Sequence, residues 1–424
     1  MKVRNLLILG IILIFNYLAS SQLKEILVLN EGSYDYVSGK ILVPVTVGVY
    51  DIVGKAYQQV NIIDNARFAS DIIIDKSNYW IAADQSISKF DLLSHQLLAS
   101  MNLVGVRKLA IYNDLLIVTR GEYLKKLEAY IQIYNKNSFK LLFEIPASDL
   151  PYTTESIVIK DSHAYIAVNN GFDFGNEVGK IVKLNLNTLQ VEAIVDLGTE
   201  GKNPENLMIK DNLLLSLNNK SFNGSSVSLF NLENAAVESY NLNNVNSLCG
   251  TSVLSGESII YQEINKTEVG KFKIADKQSG VFKDLGHSFY GMNFDPKSKL
   301  LCAGETDFKT TGKVHVYDEQ FNENYLFDAG VAPGYFAFVD ASLLASRNVQ
   351  ALEFDISPNP VVSKIRIICQ EAVVQTQVLD FCGKLLAESN QKSIDIESLQ
   401  AGVYLLCVKS RDHIGYKRFV KRAN

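Results

Sequence analysis

The sequence predicts an all-β protein, a seven-bladed β-propeller followed by a small Ig-like β-sandwich. Three observations lead to this prediction. A short motif at the end of a predicted strand recurs every 40 to 50 residues between positions 51 and 318. Tyr and Phe, which favour strands, occur 20 and 21 times. The repeat then stops before a C-terminal segment, residues 351–424, which has strand patterns of its own. A period in the forties with several short strands per repeat is typical of propellers.

The recurring motif is an apolar, usually aromatic, residue followed by Asp or Asn, and it ends the third predicted strand of each repeat. Its seven instances end at Asp51, Asp91, Asn135, Asn185, Asn231, Asp276 and Asp318. A carboxylate or amide there can accept hydrogen bonds from the turn that follows, and Gly or Asn further along is expected to adopt the positive φ. The sixth instance is the weakest, because Ala275 replaces the Tyr, Phe or Leu of the others.

Each repeat divides into four predicted strands. The second strand is apolar throughout, as in residues 79–83, which suits a strand covered on both faces; the fourth alternates, as in residues 57–62, which suits an outer edge. The second-strand pattern occurs eight times, because residues 26–30 and 343–346 both fit it. We therefore expect both ends of the repeat region to share one blade and close the ring. Which end supplies the second strand stays open, and eight blades is the alternative to seven.

The repeat region, residues 22–350, resembles the seven-bladed YncE-like propellers found as surface proteins in Bacteroidetes-type bacteria. The resemblance depends on the repeated motif and on residues 29–32, Leu-Asn-Glu-Gly, before the Tyr50-Asp51 strand. It implies a cell-surface protein that binds a small ligand or a glycan, and some relatives capture corrinoids beside an outer-membrane transporter. Those relatives are typically lipoproteins, whereas this sequence has no Cys near its predicted cleavage site.

Residues 1–21 are predicted to be a secretory signal peptide. Lys2 and Arg4 give a charged start, residues 6–15 are apolar, and residues 19–21 are small, as signal peptidase requires. The alternative is a membrane anchor, but the apolar run is shorter than the roughly 20 residues that a spanning helix needs. We therefore expect export from the cytoplasm.

The C-terminal segment carries a Pro-Asn-Pro turn, an Asp-x-x-Gly-Lys turn, a Leu-x-x-Gly-Val-Tyr run and a basic last strand, in that order. This order resembles the type A sorting domain of type IX secretion. The matched positions are Pro358, Asn359, Pro360, Gly383, Lys384, Leu399, Gly402, Tyr404 and Lys421. The resemblance implies export by the type IX machinery, removal of the domain by a sortase-type peptidase, and attachment of the remainder to surface lipopolysaccharide or its release. The alternative is an accessory sandwich.

A ligand-binding face is predicted where the loops between second and third strands meet the loops that enter the first strands. The residues expected there are Tyr34, Tyr36, Tyr123, Phe172, Phe174, Phe222 and Phe308 from the first set of loops, and Arg67, Arg107, Tyr152, Asn203, His287, Tyr290 and Tyr335 from the second. Aromatic rings would supply apolar contact area, and polar groups would orient a ligand. The alternative is that these residues only pack and cap the loops.

Composition and motifs narrow the function classes. A net charge of −5 without a basic stripe disfavours nucleic acid as a partner. No nucleophile elbow, P-loop, zinc-protease or dinucleotide motif is present, and the five Cys fit no zinc pattern. We expect no cofactor, no metal site and no catalysis. The favoured hypothesis is a surface propeller for adhesion or for binding a small molecule, glycan or protein. The alternatives are an extracellular hydrolase or lyase using the same face, and a scaffold subunit of a surface complex.

Overall fold

A computed structural model describes residues 23–220, 224–247, 251–345, 352–380, 385–410 and 414–422. The predicted signal peptide, Phe222, Gly383 and Lys384 lie outside these described residues. The chain divides after Leu344 into two compact units. In the described residues, no helix is long and apolar enough to cross a membrane.

The first unit contains seven four-stranded antiparallel sheets within the described residues, which we number as blades 1 to 7. Blade 1 is Pro333–Asp340, Leu23–Asn30, Val45–Asp51 and Ala56–Ile63; blade 2 is Asp71–Asp75, Asn78–Ala83, Ser86–Asp91 and Leu97–Asn102; blade 3 is Val106–Tyr112, Leu115–Arg120, Ala129–Asn135 and Leu141–Pro146; blade 4 is Thr154–Lys160, His163–Val168, Lys180–Asn185 and Gln190–Asp196. Blade 5 is Pro204–Lys210, Leu213–Asn218, Ser225–Asn231 and Val237–Leu242; blade 6 is Ser252–Ser255, Ser258–Gln262, Glu268–Lys273 and Gln278–Asp284; blade 7 is Gly291–Asp295, Leu300–Glu305, Lys313–Tyr317 and Glu323–Asp328. A short hairpin, Ser33–Asp35 with Lys40–Val43, follows the second strand of blade 1, and a 3-10 turn, Thr199–Gly201, precedes blade 5.

The seven blades form a closed ring. The first strand of each blade contacts the first strand of the next, and that of blade 7 contacts that of blade 1. Blade 1 takes its first strand, Pro333–Asp340, from the end of the repeat region and its second, Leu23–Asn30, from the beginning. The question that the sequence left open is thus answered: the N-terminal strand fills the second position.

Residues 343–346, the other candidate for that position, do not form a strand. Residues Ala341–Ala345 form a short helix instead, and Ser346 lies outside the described residues. The side chain of Asp340 explains the start of this helix, because its Oδ1 accepts a hydrogen bond from the backbone N of Leu343 at 3.0 Å. A capped helical turn thus replaces the strand that apolar composition alone suggested.

The core lies between neighbouring blades, as the strand patterns predict. The second strand of blade 2, Asn78–Ala83, is buried from Tyr79 onward, whereas the outer strand Leu97–Asn102 is exposed at four of its six residues. Trp80 is fully buried and packs with Leu116 of blade 3. The second strand of blade 2 is therefore buried on both faces, which fits its apolar sequence.

The Asp/Asn motif caps the turn after the third strand. Asp91 Oδ1 accepts hydrogen bonds from the backbone N of Leu93 at 3.1 Å and of Ser94 at 2.8 Å. The side chains of Asp51, Asn135, Asn185, Asn231 and Asp318 accept equivalent backbone bonds. The motif therefore recurs in repeats whose sequences otherwise differ, because the turn needs a side chain that accepts hydrogen bonds from its backbone.

Two details of the turn prediction are wrong. In blade 6 the strand ends at Lys273, and Lys277 N bonds to Lys273 O at 2.9 Å, as His95 N does to Asp91 O at 3.0 Å. Lys273, not Asp276, thus occupies the motif position, and an ammonium cannot accept the turn bonds. The positive φ is adopted by Lys55, His95, Phe139, Leu189, Ala235 and Lys277 instead of Gly or Asn. None of these residues is β-branched, the class for which this conformation is most costly.

The second unit is a β-sandwich. One sheet contains Asp355–Ser357, Lys364–Ile368 and Ser393–Asp395, and the other contains Leu385–Ser389, Gln375–Leu379, Gly402–Lys409 and Ile414–Lys421. Ile365, Ile367, Val378, Leu406 and Phe419 pack together between them. The fold class predicted from the sequence is confirmed.

We predict that Asp91→Ala lowers the free energy of unfolding by about 1–3 kcal/mol, because it removes the charged acceptor of two partly buried hydrogen bonds from backbone N–H groups. Asp91→Asn is the matched control, since Asn fills the same position in three other blades, and it should keep most of the stability. The measurement is urea unfolding followed by far-ultraviolet circular dichroism. Equal losses in the two variants would show that the charge, and not the acceptor, matters.

Candidate functional site

The loops of the predicted face lie together at one end of the ring. Backbone hydrogen bonds of 2.7–3.1 Å join a loop after a second strand to a loop before a first strand in five places: Glu31 to Ala332, Gly121 to Gly105, Asn169 to Thr153, Asn219 to Asn203, and Tyr290 to Gly304. Five of the seven blades therefore contribute such a bonded pair, which helps to fix the positions of the side chains described next.

Blades 1 to 4 place rings and guanidinium groups in one continuous line, which we call the aromatic row. The distances along it are 4.9 Å for Tyr34–Tyr36, 6.4 Å for Tyr36–Tyr123, 5.6 Å for Tyr123–Arg67, 5.3 Å for Arg67–Phe68, 5.7 Å for Phe68–Arg107 and 5.2 Å for Arg107–Phe172, between ring centroids or from guanidinium carbon to centroid. Six of the seven members are residues that the sequence predicted. Phe68 was missed, although it directly follows Arg67.

Carboxylates hold both guanidinium groups of the aromatic row. Arg67 donates to Asp84 at 2.6 Å and to Glu122 at 2.7 Å, while Arg107 donates to both oxygens of Glu155, at 2.8 and 3.1 Å. These hydrogen bonds, above all those that Arg67 donates to Asp84, hold the pKa of Arg67 above its usual range. The two arginines are thus neutralised and fixed, and they act as flat spacers between rings.

Two adjacent members of the aromatic row are open to solvent. Tyr36 is 63 % exposed and Tyr123 is 45 % exposed. The hairpin that carries Tyr36 also exposes the apolar side chains of Val37 and Leu42. A row of partly exposed rings next to exposed aliphatic groups is unusual for a solvent-facing loop and is typical of a contact surface.

A second aromatic pair lies on blade 7. Tyr290 and Phe308 make an edge-to-face contact with centroids 4.8 Å apart. The Tyr290 hydroxyl donates a hydrogen bond to Glu31, which precedes the hairpin of blade 1. Burial raises the pKa of Glu31 to about 6, although the bond from Tyr290 and the charge of Arg107 act in the opposite direction. Glu31 thus connects the blade 7 pair with the start of the aromatic row.

A central channel passes along the first strands of all seven blades. It encloses a cavity of about 520 Å³ whose polar lining includes Asp71, Lys108, Asn206, Asn293 and Tyr335. Lys108 Nζ lies 4.4 Å from the Tyr335 ring centroid and donates to Ser70 O at 2.6 Å. Tyr335 therefore lines the channel and not the open face.

Glu205, at the start of the first strand of blade 5, is a further ionisable group near the channel. The residue as a whole is partly exposed, but its carboxylate group is surrounded by protein atoms. Burial, and secondarily the charge of Glu155, raise its pKa to about 7. Glu31 and Glu205 were not predicted from the sequence, because a strand-end glutamate has no local signal that reports its burial.

Other predicted residues lie away from the aromatic row. Asn203 is fully buried, and Val178 O accepts its backbone N–H at 2.8 Å. Tyr152 packs against the apolar cluster of blades 3 and 4. Phe174 is exposed on its loop, and His287 pairs with Glu305 and His315 of blade 7.

In the second unit, the Pro-Asn-Pro turn is bonded to the last strand. Asn359 Oδ1 accepts from Val420 N at 3.0 Å, and Tyr404 stacks on Phe419 with centroids 5.7 Å apart. Lys421 is buried, and Leu399 packs on the sandwich core. The motif residues described here thus stabilise the sandwich, with Pro358 and Pro360 in the turn and Gly402 opening the strand that carries Tyr404.

Residues 355–422 match the family described as "Secretion system C-terminal sorting domain". The match confirms the sorting prediction for this segment. The protein is exported by type IX secretion to the cell surface or the extracellular space, and its C-terminal unit is the part that the type IX machinery recognises.

Among the curated proteins, none matches this chain. Solved structures resemble it in fold. Hydrazine synthase from Kuenenia stuttgartiensis is 13 % identical, with a TM-score of 0.54 over 66 % of this chain and 97 % of that one. A provisionally assigned 6-phosphogluconolactonase from Bacteroides fragilis is 12 % identical, with 0.53 over 76 % and 99 %. A functionally unknown protein from Desulfotomaculum acetoxidans is 14 % identical, with 0.52 over 75 % and 99 %. At these identities the likeness supports the propeller fold alone.

We predict that Glu205→Gln stabilises the protein at pH 8 and not at pH 4. Because the folded-state pKa is raised from 4.5 to about 7, the unfolded chain ionises first as pH rises, so the wild type loses stability above about pH 4.5 and the loss is complete above pH 7. Removing the charge should recover up to about 3 kcal/mol at pH 8. Gln has nearly the same shape as Glu and carries no charge.

Glu192→Gln is the control of opposite sign for this experiment. A hydrogen bond from Lys183, followed by those from Asn185 and His163, lowers the pKa of Glu192 to about 2. This variant should lose stability at pH 7, and the loss should fade as the pH falls toward 2. Thermal unfolding across the pH range gives both answers. A pH-independent effect of Glu205→Gln would show that burial does not perturb this carboxyl.

Proposed function

We propose that the propeller is a cell-surface binding protein whose aromatic row holds a neutral carbohydrate. The observation that carries the proposal is the line of ring and guanidinium contacts from Tyr34 to Phe172, with Tyr36 and Tyr123 open to solvent. Sugar rings present flat C–H faces that pack on aromatic rings, and a row of several rings suits a chain of several sugar units.

The charges around the row favour a neutral ligand over an anionic one. Both arginines already bind carboxylates, so neither guanidinium group is available to bind a phosphate or carboxylate of a ligand with two parallel hydrogen bonds. Glu31 and Glu205 add negative charge near the channel as pH rises through their pKa values of about 6 and 7. These carboxylates would repel an anion, and both guanidinium groups of the row are already paired.

Adhesion to a protein partner is the second candidate, and one observation favours it. The hairpin of blade 1 exposes Val37 to 97 % and Leu42 to 63 %, and Leu124 in the loop after the second strand of blade 3 is 69 % exposed. Exposed aliphatic side chains contribute little to sugar stacking but are frequent in protein interfaces. The two candidates differ in which substitutions abolish binding.

We also propose that the exported propeller loses its C-terminal unit to a sortase-type peptidase and is attached to surface lipopolysaccharide. The match of residues 355–422 to a secretion sorting family supports this step. Attachment would hold the binding face outside the outer membrane, where polysaccharides and partner surfaces are accessible.

The binding proposal predicts that the exported protein binds neutral oligosaccharides, and that Tyr36→Ala with Tyr123→Ala weakens binding at least tenfold. Each aromatic contact contributes about 0.5–1.5 kcal/mol beyond its buried area, and 1.4 kcal/mol is a factor of ten. The measurement is isothermal titration calorimetry with neutral glucan, mannan and xylan oligosaccharides.

Phe282→Ala is the matched control, because Phe282 is similarly exposed but lies on the outer strand of blade 6. Absence of binding across the neutral series would overturn the carbohydrate proposal. Binding lost in Val37→Asp with Leu42→Asp, and kept without Tyr36 and Tyr123, would favour adhesion. Recovery of the oligosaccharide with altered mass would favour the hydrolase or lyase alternative.

The sorting proposal predicts that deletion of residues 355–424 leaves the propeller in the periplasm. The full chain should appear outside the cell as a diffuse high-mass band that reacts with antibody to lipopolysaccharide and lacks the C-terminal unit. An unrelated periplasmic protein fused to residues 352–424 serves as the control and should follow the same route. A sharp extracellular band that retains the C-terminal unit would contradict both cleavage and attachment.

A further inference from the structure

Blade 7 brings two histidines and a carboxylate to one point. Glu305 ends the second strand, His315 lies in the third, and His287 comes from the loop that enters the blade. His287 Nδ1 and His315 Nε2 each lie 3.2 Å from the same atom, Glu305 Oε2. One ligand atom from each residue lies within 4.8 Å of the others. Nitrogen atoms of two histidines from separate segments therefore converge on one oxygen of Glu305.

A second carboxylate orients one of these histidines. Glu323 Oε1 lies 2.6 Å from His315 Nδ1, and the His315 side chain is only 1 % exposed. A carboxylate in this position fixes the proton on Nδ1 and directs the Nε2 lone pair away from it, toward Glu305. A histidine held by a carboxylate on its other ring nitrogen is the arrangement found around protein-bound metals.

A positive charge between the three groups, from a protonated His315 or from a bound cation, would satisfy this geometry. A neutral His315 with its proton on Nδ1 would point a lone pair at a carboxylate oxygen 3.2 Å away, which is repulsive. Protonating both histidines would instead place two cationic rings with centroids only 4.3 Å apart. One divalent ion would satisfy both nitrogens and the carboxylate without either cost.

We propose that His287, Glu305 and His315 form a binding site for a divalent transition-metal ion, with Zn²⁺ as the best fit. Two imidazoles and a carboxylate suit Zn²⁺, whereas Ca²⁺ and Mg²⁺ prefer oxygen ligands alone. Tetrahedral Zn²⁺ with bonds of about 2.0–2.1 Å separates neighbouring ligand atoms by about 3.3 Å. Both measured separations to Glu305 Oε2 are close to that value.

The site is reachable from solvent and separate from the aromatic row. His287 and Glu305 keep 40 % and 38 % of their side-chain surfaces exposed, while His315 closes the inner side. Three protein ligands leave a fourth position for water or a ligand atom. The sequence did not indicate this site, because His315 lies 28 positions after His287 and within a strand, without any zinc-type spacing.

The test is titration of the tag-free full-length protein with Zn²⁺ after removal of metals with a chelator. We expect one Zn²⁺ per chain, and a loss of affinity of at least a hundredfold in Glu305→Gln and His315→Gln. Glu323→Gln should weaken binding about 10- to 100-fold, as expected for a carboxylate that orients a ligand. Co²⁺ in place of Zn²⁺ should give visible absorption bands that Glu323→Gln shifts, which a merely structural role would not produce.

Two further variants keep the test decisive. His287→Gln alters a half-exposed side chain, so it should leave the fold intact, as judged by circular dichroism, while abolishing tight binding. His163→Gln is the matched control, because His163 pairs with Glu192 at 3.1 Å on blade 4 without a second histidine, and it should bind Zn²⁺ normally. Failure of the wild type to bind Zn²⁺ or Co²⁺ stoichiometrically would overturn the proposal, as would unchanged binding in folded His287→Gln.

Discussion

The closure of blade 1 is the constraint on which the rest of the ring depends. Pro333–Asp340 and Leu23–Asn30 pair although the whole propeller separates them in sequence, so neither of these two strands is left without a partner. Asn30 reinforces this junction: it is fully buried, its Oδ1 accepts from Gly330 N at 3.0 Å, and its Nδ2 donates to Thr46 Oγ1 at 3.1 Å. A Cβ on Gly330 would lie 2.6 Å from Asn30, so only glycine permits this contact.

The geometry of the candidate binding face depends on that junction. Glu31 directly follows Asn30, bonds to Ala332 through its backbone and accepts a hydrogen bond from Tyr290 through its side chain. The hairpin with Tyr34 and Tyr36 extends from the same point. The two ends of the ring thus meet where the aromatic row begins, and a break in the closure would separate the row from the blade 7 pair. This explains why the site belongs to the ring as a whole and not to one blade.

Much of the fold could be predicted from the sequence because its signals are local. A hydrogen-bond acceptor such as Asp91 stabilises the turn that directly follows it in sequence. The apolar composition of a strand such as residues 79–83 directly indicates that the strand is buried. Both signals therefore recur from blade to blade. The features that were missed are non-local. Nothing in the sequence indicates that Val178 O accepts a hydrogen bond from the backbone N–H of Asn203. Nor does it indicate that His287 and His315 both contact Glu305. Side chains from separate segments converge only after the blades have packed, so residue type and spacing do not report their neighbours.

The aromatic row and the blade 7 cluster are physically connected. Tyr290 and His287 lie in one loop, and Phe289 between them contacts the His315 ring with centroids 5.5 Å apart. An ion held by His287 would therefore restrain the loop that positions Tyr290, whose hydroxyl bonds to Glu31 at the start of the row. Any influence of the ion on ligand affinity would be matched by an equal influence of the ligand on ion affinity. The loop of residues 285–290 is thus the element through which two separate sites on one ring would communicate.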